Sequence, residues 1–232
     1  PEIEKAHAAK ITLLDKQVGR LVRKLKEIGV LENTLILFTS DNGPHYAKGG
    51  HDLEFFNSNG NLKGGKRDLY EGGIRVPLIA YWENKIRPES FSYHVSSFQD
   101  IIPTFSEIIG YKVPKNLDGI SFLPTLISKD QPKHDYLNWE FQLSGWFQNL
   151  PSGGFRQSVR FDHWKAVRYS LNSDIELYDL NEDEGETNNQ AHLHPKIVKK
   201  AKDIFENSRS EQYGFPYGGV VQNYKSMERF VQ

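Results

Sequence analysis

Residues 3–28 repeat apolar side chains at a helical period: Ile11, Leu14, Val18, Leu21, Val22, Leu25 and Ile28 fall on one face. Gly29 follows, and glycine adopts the left-handed conformation of a helix C′ position at the lowest cost. The pattern then changes. Thr34-Leu35-Ile36-Leu37-Phe38-Thr39 is a short unbroken apolar run, which predicts a strand buried on both faces. Helix, tight connection and buried strand form the rhythm of a parallel-sheet domain. Residues 76–82 predict a second strand, with Pro77 at its start. Residues 97–109 predict a helix, opened by a Ser97/Asp100 variant of the capping box and closed at Gly110.

From about residue 129 the texture becomes aromatic and β-branched. Segments at 136–141, 158–160, 164–169 and 176–180, separated by turn-like stretches, predict an antiparallel meander. A helix over 195–212 follows, with Ile197, Val198, Ala201, Ile204 and Phe205 on its buried face. The expected class is α/β. Residues 1–128 would carry the edge of a mixed sheet with flanking helices, and 129–232 a smaller antiparallel sheet packed by the C-terminal helix.

Composition narrows the function. The 232 residues are 38% hydrophobic and 12% aromatic, enough for a packed core. Lys plus Arg is 29 and Asp plus Glu is 30, for a net charge of -1, so the basic excess of a nucleic-acid binder is missing. No apolar run is long enough to span a bilayer. There is no cysteine, which removes disulfides, thiolate metal sites and a cysteine nucleophile from these residues. The first residue is Pro1 and no signal peptide is visible, so the protein's own N-terminus is expected to lie elsewhere. A chain that begins mid-domain should leave one sheet edge and one apolar face uncovered, and should need its N-terminal partner.

Two segments carry candidate chemistry. Asp41 and Asn42 follow the first predicted strand, at the edge where α/β sheets bind ligands. A carboxylate beside an amide carbonyl offers two hard oxygen donors of the kind calcium or magnesium takes, though calcium wants six to eight. Taken alone, Asp-Asn-Gly reads as a plain turn with a local Asx hydrogen bond. The second segment runs Gly64-Gly65-Lys66-Arg67-Asp68-Leu69-Tyr70-Glu71-Gly72-Gly73-Ile74-Arg75-Val76-Pro77. Lys66 and Arg67 suit an oxyanion, one as a point charge and the other as a bidentate fork. For Lys63 and Arg67 a solvated loop is the plainer reading, and Glu71 is expected to pair with Arg75. Trp139, Glu140 and Phe141 either line a sugar pocket or belong to the core.

The combination resembles the sulfatase family (arylsulfatase and N-acetylgalactosamine-6-sulfatase-like), within the alkaline phosphatase superfamily. Ser40-Asp41-Asn42-Gly43 followed by the glycine-rich loop carries the likeness, supported by residues 15–21, 118–124 and 176–189 in family order. The resemblance implies the later part of an alkaline phosphatase-like α/β domain and hydrolysis of sulfate esters, with sulfated carbohydrate as substrate. It implies Asp41 and Asn42 as half of a Ca2+ site completed by upstream ligands, and Lys66 as a lysine that contacts sulfate oxygens. His45 and His51, in the same loop, would touch substrate hydroxyls or the leaving oxygen, although a lone loop histidine is more often a surface residue. The family's formylglycine, made from a Cys/Ser-x-Pro-x-Arg motif, is expected upstream, because no such pentapeptide occurs here. These residues alone are therefore expected to be inactive, with the missing N-terminal part of the same protein as partner and a periplasmic or secreted location. A phosphoester hydrolase of the same superfamily and a non-catalytic carbohydrate-binding module stay open as alternatives.

Overall fold

The structure is a computed structural model and describes residues 2–45, 52–142, 154–210 and 217–218. In chain order its elements are α1 (Glu2–Glu27), β1 (Ile36–Thr39), α2 (Leu53–Phe56), α3 (Glu71–Ile74), β2 (Leu78–Tyr81), α4 (Ile101–Ile108), α5 (Leu123–Leu126), β3 (Leu137–Gln142), β4 (Phe155–Phe161), β5 (Trp164–Arg168), β6 (Glu176–Asp179) and α6 (Pro195–Asn207). They divide between two compact units. The first comprises Pro1–Asp41, Ala47–Phe55 and Val76–Asp135; the second comprises Asn42–Tyr46, Phe56–Arg75 and Tyr136–Gln232.

In the first unit α1 ends as its sequence predicts. Gly29 takes φ +72, its N–H donates to Lys26 O at 3.1 Å, and the Val30 N–H donates to Leu25 O at 3.0 Å. That is a Schellman ending, which satisfies carbonyls the helix leaves free. β1 pairs antiparallel with β2, in register Ile36↔Tyr81 to Thr39↔Leu78. The expectation of a strand buried on both faces is corrected here: β1 is half-buried and Phe38 is 36% exposed. Among the described residues β2 is the one strand paired with it. The apolar face of α1 is open too, with Leu14, Leu21 and Ile28 46%, 55% and 57% exposed. On α4, Ile102, Phe105 and Ile109 face out while Pro103, Thr104 and Ser106 are buried. Apolar faces left open on this scale mark interaction surfaces. No helix among the described residues is long and apolar enough to cross a membrane.

Asp100 organises the rest of this unit. Fully buried, it accepts the Ser97 N–H at 2.8 Å, which is one half of the predicted capping box. Its other oxygen accepts the Ile120 N–H and meets His134 Nε2, both at 2.9 Å. Thr104 accepts the Phe122 N–H at 3.0 Å. A Cβ on Gly119 would lie 1.9 Å from Gln99 O, so only glycine lets segment 118–122 approach so closely. Gly110 closes the helix with φ +67.

The second unit holds the meander. β3, β4, β5 and β6 form a four-stranded antiparallel sheet in sequence order. Alternation divides its residues between two faces. Val159, Phe161, Trp164, Ala166 and Leu177 pack against Ala201 and Phe205 of α6, forming the largest apolar core. The same face carries Glu140, which accepts from Gln157 and, at 3.1 Å, from Arg209 Nε. Glu140 is therefore held in a structural ion pair. α6 begins where predicted and ends at Asn207, before the expected 212, with Ser208 as its cap.

Candidate active site

The other face of the sheet is charged, and it forms the floor of the glycine-rich loop. Strand register sets Arg160, Lys165 and Tyr178 in one row across β4, β5 and β6. Glu71, at the start of α3, lands on that row. Its carboxylate accepts from Lys165 Nζ at 2.7 Å and from Arg160 at 3.0 Å, and its own N–H donates to Glu186 at 2.6 Å. Lys165 and Glu186 are fully buried and Glu71 is 2% exposed. Charges taken this far from water persist only when paired. Beside them Lys63 Nζ donates to the Tyr178 hydroxyl at 2.9 Å and stands 4.0 Å from the centre of the Tyr70 ring. Tyr70 in turn donates to Glu176 at 2.6 Å.

Two expectations are corrected by this arrangement. Glu71 pairs with Lys165 and Arg160, whereas Arg75 reaches Glu184 at 3.3 Å. Lys63 is a half-buried anchor, its ammonium drawn to two tyrosine rings rather than to solvent. Arg67 does keep its side chain exposed.

The loop is also fastened to the segment that follows β1. Gly43 N–H donates to Gly73 O at 2.9 Å, and Lys66 N–H donates to Pro44 O at 2.8 Å. Within the loop Gly72 N–H donates to Lys63 O at 2.8 Å. These approaches are backbone on backbone, and they require glycine: a Cβ on Gly43 would meet Gly72 O at 1.9 Å, and one on Gly72 would meet Gly64 O at 2.4 Å. Gly43→Ala should thus destabilise the chain by about 3 kcal/mol, the upper range for an overpacked site, and lower its urea midpoint. A midpoint unchanged by that methyl would mean the two segments are not docked.

This fastening brings Asn42, His45 and Lys66 into one place in the second unit. His45 Nε2 lies 3.3 Å from an Arg67 guanidinium nitrogen. Arg67 itself takes φ +82, and its carbonyl accepts from Arg156 at 2.9 Å. Lys66 is half-buried, and among the described residues its ammonium has no hydrogen bond or ion pair. Asp41 belongs to the first unit, where it is exposed and its carboxylate makes no hydrogen bond among the described residues. The Asx bond of a plain turn is thus not made. His51 lies outside the described residues. Trp139 and Phe141 are half-buried strand residues, and the Trp139 ring centre is 5.8 Å from Lys165 Nζ.

Electrostatics sets the two buried glutamates apart. Burial pushes the Glu71 carboxyl up, but Lys165 and Arg160 outweigh it and hold the group below the ordinary range. Burial wins at Glu186, raising its pKa from 4.5 to about 7 against the pull of Lys165 and of the Glu71 N–H. A carboxyl with a folded pKa above its unfolded one favours the fold while protonated. Its contribution is complete below pH 4.5 and is lost as pH rises through about 7, a swing of about 3 kcal/mol. Stability of the wild-type chain should therefore fall between these pH values relative to Glu186→Gln, read by urea midpoints across the range. Parallel curves for the two proteins would rule out the buried acid. Glu71, with its depressed value, contributes in the opposite sense and loses its effect only as pH falls through its folded pKa.

Comparison with known proteins settles the family. The sulfatase family model matches residues 4–111, and the model for the C-terminal region of N-sulphoglucosamine sulphohydrolase matches residues 64–211. The chain belongs to the sulfatase family. Among curated sulfatases, N-acetylgalactosamine-6-O-sulfatase of Bacteroides thetaiotaomicron is 28% identical over 86% of this chain and 41% of its own length. Human arylsulfatase A is 31% identical over 82% of this chain, again 41% of its own length. The chain thus spans about two-fifths of the relatives it matches. A solved sulfatase from the glycosaminoglycan locus of Bacteroides thetaiotaomicron superposes with a TM-score of 0.69 at 27% identity, covering 84% of this chain and 42% of that one. A protein solved with its substrate D-glucosamine-2-N,6-O-disulfate gives 0.67 at 25%, covering 85% and 38%.

The buried charges under this sulfatase loop were not foreseen from sequence. The one local signal was Lys165, a lysine flanked on both sides by buried strand residues.

Proposed function

We propose that the complete protein is a sulfuric ester hydrolase acting on sulfated carbohydrates, and that this chain supplies part of its active site. The observation that carries the reading is the seating of Lys66. Its backbone is pinned to the Asn42–His45 segment at Pro44, while its ammonium stays unpaired among the described residues. A cation fixed at the backbone and uncommitted at the tip suits a transferring sulfuryl group, whose oxygens gain charge as the S–O bond breaks. The names of the relatives support the substrate class, since they include enzymes of sulfated amino sugars.

Asp41 and Asn42 offer a carboxylate and an amide carbonyl, a donor set that fits a hard cation such as calcium. No group of three or more acidic or histidine ligands gathers among the described residues, so the remaining donors would come from elsewhere in the protein. Calcium, when bound, would polarise the sulfate. His45 and His51 are assigned, from the resemblance, contact with a substrate hydroxyl or the leaving oxygen. The formylglycine nucleophile would likewise come from outside these residues, and so would whatever covers the open faces of α1, β1 and α4. Such a protein would work in the periplasm or outside the cell, where sulfated polysaccharide is found.

The test is sulfate release by the complete protein from a panel of sulfated sugars, with calcium and with chelator. Release that chelation abolishes is expected. Hydrolysis of phosphate esters alone would replace this reading with the phosphoester one.

A further inference from the structure

We infer that Lys165 and Glu186 are positioning residues for Lys66: they clamp Glu71 so that the loop lies on the sheet in a single orientation. The inference rests on the reading of Lys66 as a sulfate-binding group. Three observations carry it. Lys165 and Glu186 take hold of opposite ends of one residue, the carboxylate of Glu71 at 2.7 Å and its N–H at 2.6 Å. Both are fully buried, so neither is open to contact with a substrate. From Glu71 the chain runs straight into Gly72 and Gly73, whose backbones hold Lys63 O and the Gly43 N–H. Lys66 is fixed between these two attachments, with its own N–H on Pro44 O.

Stability gives no reason for such a cluster. Well-packed apolar side chains hold a core as well as buried ion pairs do, because desolvation offsets most of the Coulomb attraction. Charges differ from apolar contacts in being directional, and here each bond constrains the azimuth of the loop over the sheet. Glu186 makes the point sharply. One of its oxygens receives the Glu71 N–H, while the other is buried with no hydrogen-bond partner, 3.9 Å from Lys165 Nζ. The residue also takes φ +51, a conformation costly for a side-chain-bearing residue. An incompletely satisfied acid in an unfavourable backbone conformation is retained where geometry matters more than stability.

The experiment uses the complete protein carrying Lys165→Met or Glu186→Ala, which removes the acceptor of the Glu71 N–H, alone and combined with Lys66→Ala. Amide hydrogen exchange at Gly43, Lys66 and Gly72 should become at least tenfold faster in either variant, with the Ala166 amide of β5 unchanged. For sulfate release kcat should fall by about 10- to 100-fold, the effect of displacing a reacting group by roughly 1 Å, with KM within twofold. In the Lys66→Ala background neither change should lower kcat further, because two residues acting through one contact are not additive. Unchanged exchange at the loop amides, or losses that simply multiply, overturns the inference. If Lys165→Met does not fold, Glu186→Ala decides alone. If the wild-type protein releases no sulfate, the functional reading fails, and hydrogen exchange still decides whether the clamp orients the loop.

Discussion

Lys66→Ala in the complete protein is expected to lower kcat for sulfate release by about 10²–10³-fold, the usual cost of deleting one preorganised charge partner in an active site. KM should move far less, because the lysine's charge is matched to negative charge that grows in the transition state. The Lys66 N–H is already held by Pro44 O, so alanine keeps the backbone path and removes the side chain with its ammonium. Lys66→Arg is a useful companion. A guanidinium restores the charge but is a broader fork than the compact ammonium, and it should recover only part of the rate. A kcat for Lys66→Ala within threefold of wild type would end the assignment of this residue to the sulfate.

Glu71→Ala should produce the largest loss of stability in the chain, about 3–5 kcal/mol by urea unfolding. Removing it strands Lys165 at 0% exposure, and Arg160 at 22%, without their carboxylate. With only a Glu186 oxygen 3.9 Å away, the buried Lys165 ammonium must either stay charged in a poor dielectric or give up its proton, and both routes are costly. The N–H bond to Glu186 does not depend on the side chain and survives the substitution. Glu71→Gln should sit between wild type and alanine, since its one amide oxygen keeps a hydrogen bond to one of the two cations while its NH2 faces the other. A destabilisation by alanine below about 1 kcal/mol would show that the network is solvated rather than buried.

Features set by neighbours in sequence were legible beforehand. The Gly29 ending of α1, the Ser97/Asp100 start and Gly110 finish of the following helix, the meander and the buried face of α6 all follow from periodicity and local hydrogen bonding. The same holds for the loop motif around Lys66, which pointed to the family. What escaped depends on distant partners. Glu71 lies 94 residues from Lys165 and 115 from Glu186, and no local pattern records such pairs. Arg75, four residues away, looked the natural partner for that reason. Strand 36–39 read as buried on both faces because its apolar run carries the mark of a covered strand, whichever residues do the covering.

The 115-residue separation of Glu71 from Glu186 also bears on how the protein is made. At a synthesis rate of roughly 5–20 residues per second, the ribosome completes the loop roughly 6–23 seconds before the last of its sheet contacts exists. During that interval Glu71 and Lys66 are charged residues on a nascent chain, with no fold to order them. The seating of the loop is therefore paced by translation rather than by local collapse, and slowing the ribosome after residue 75 would lengthen the period in which Lys66 and Glu71 wait without their sheet.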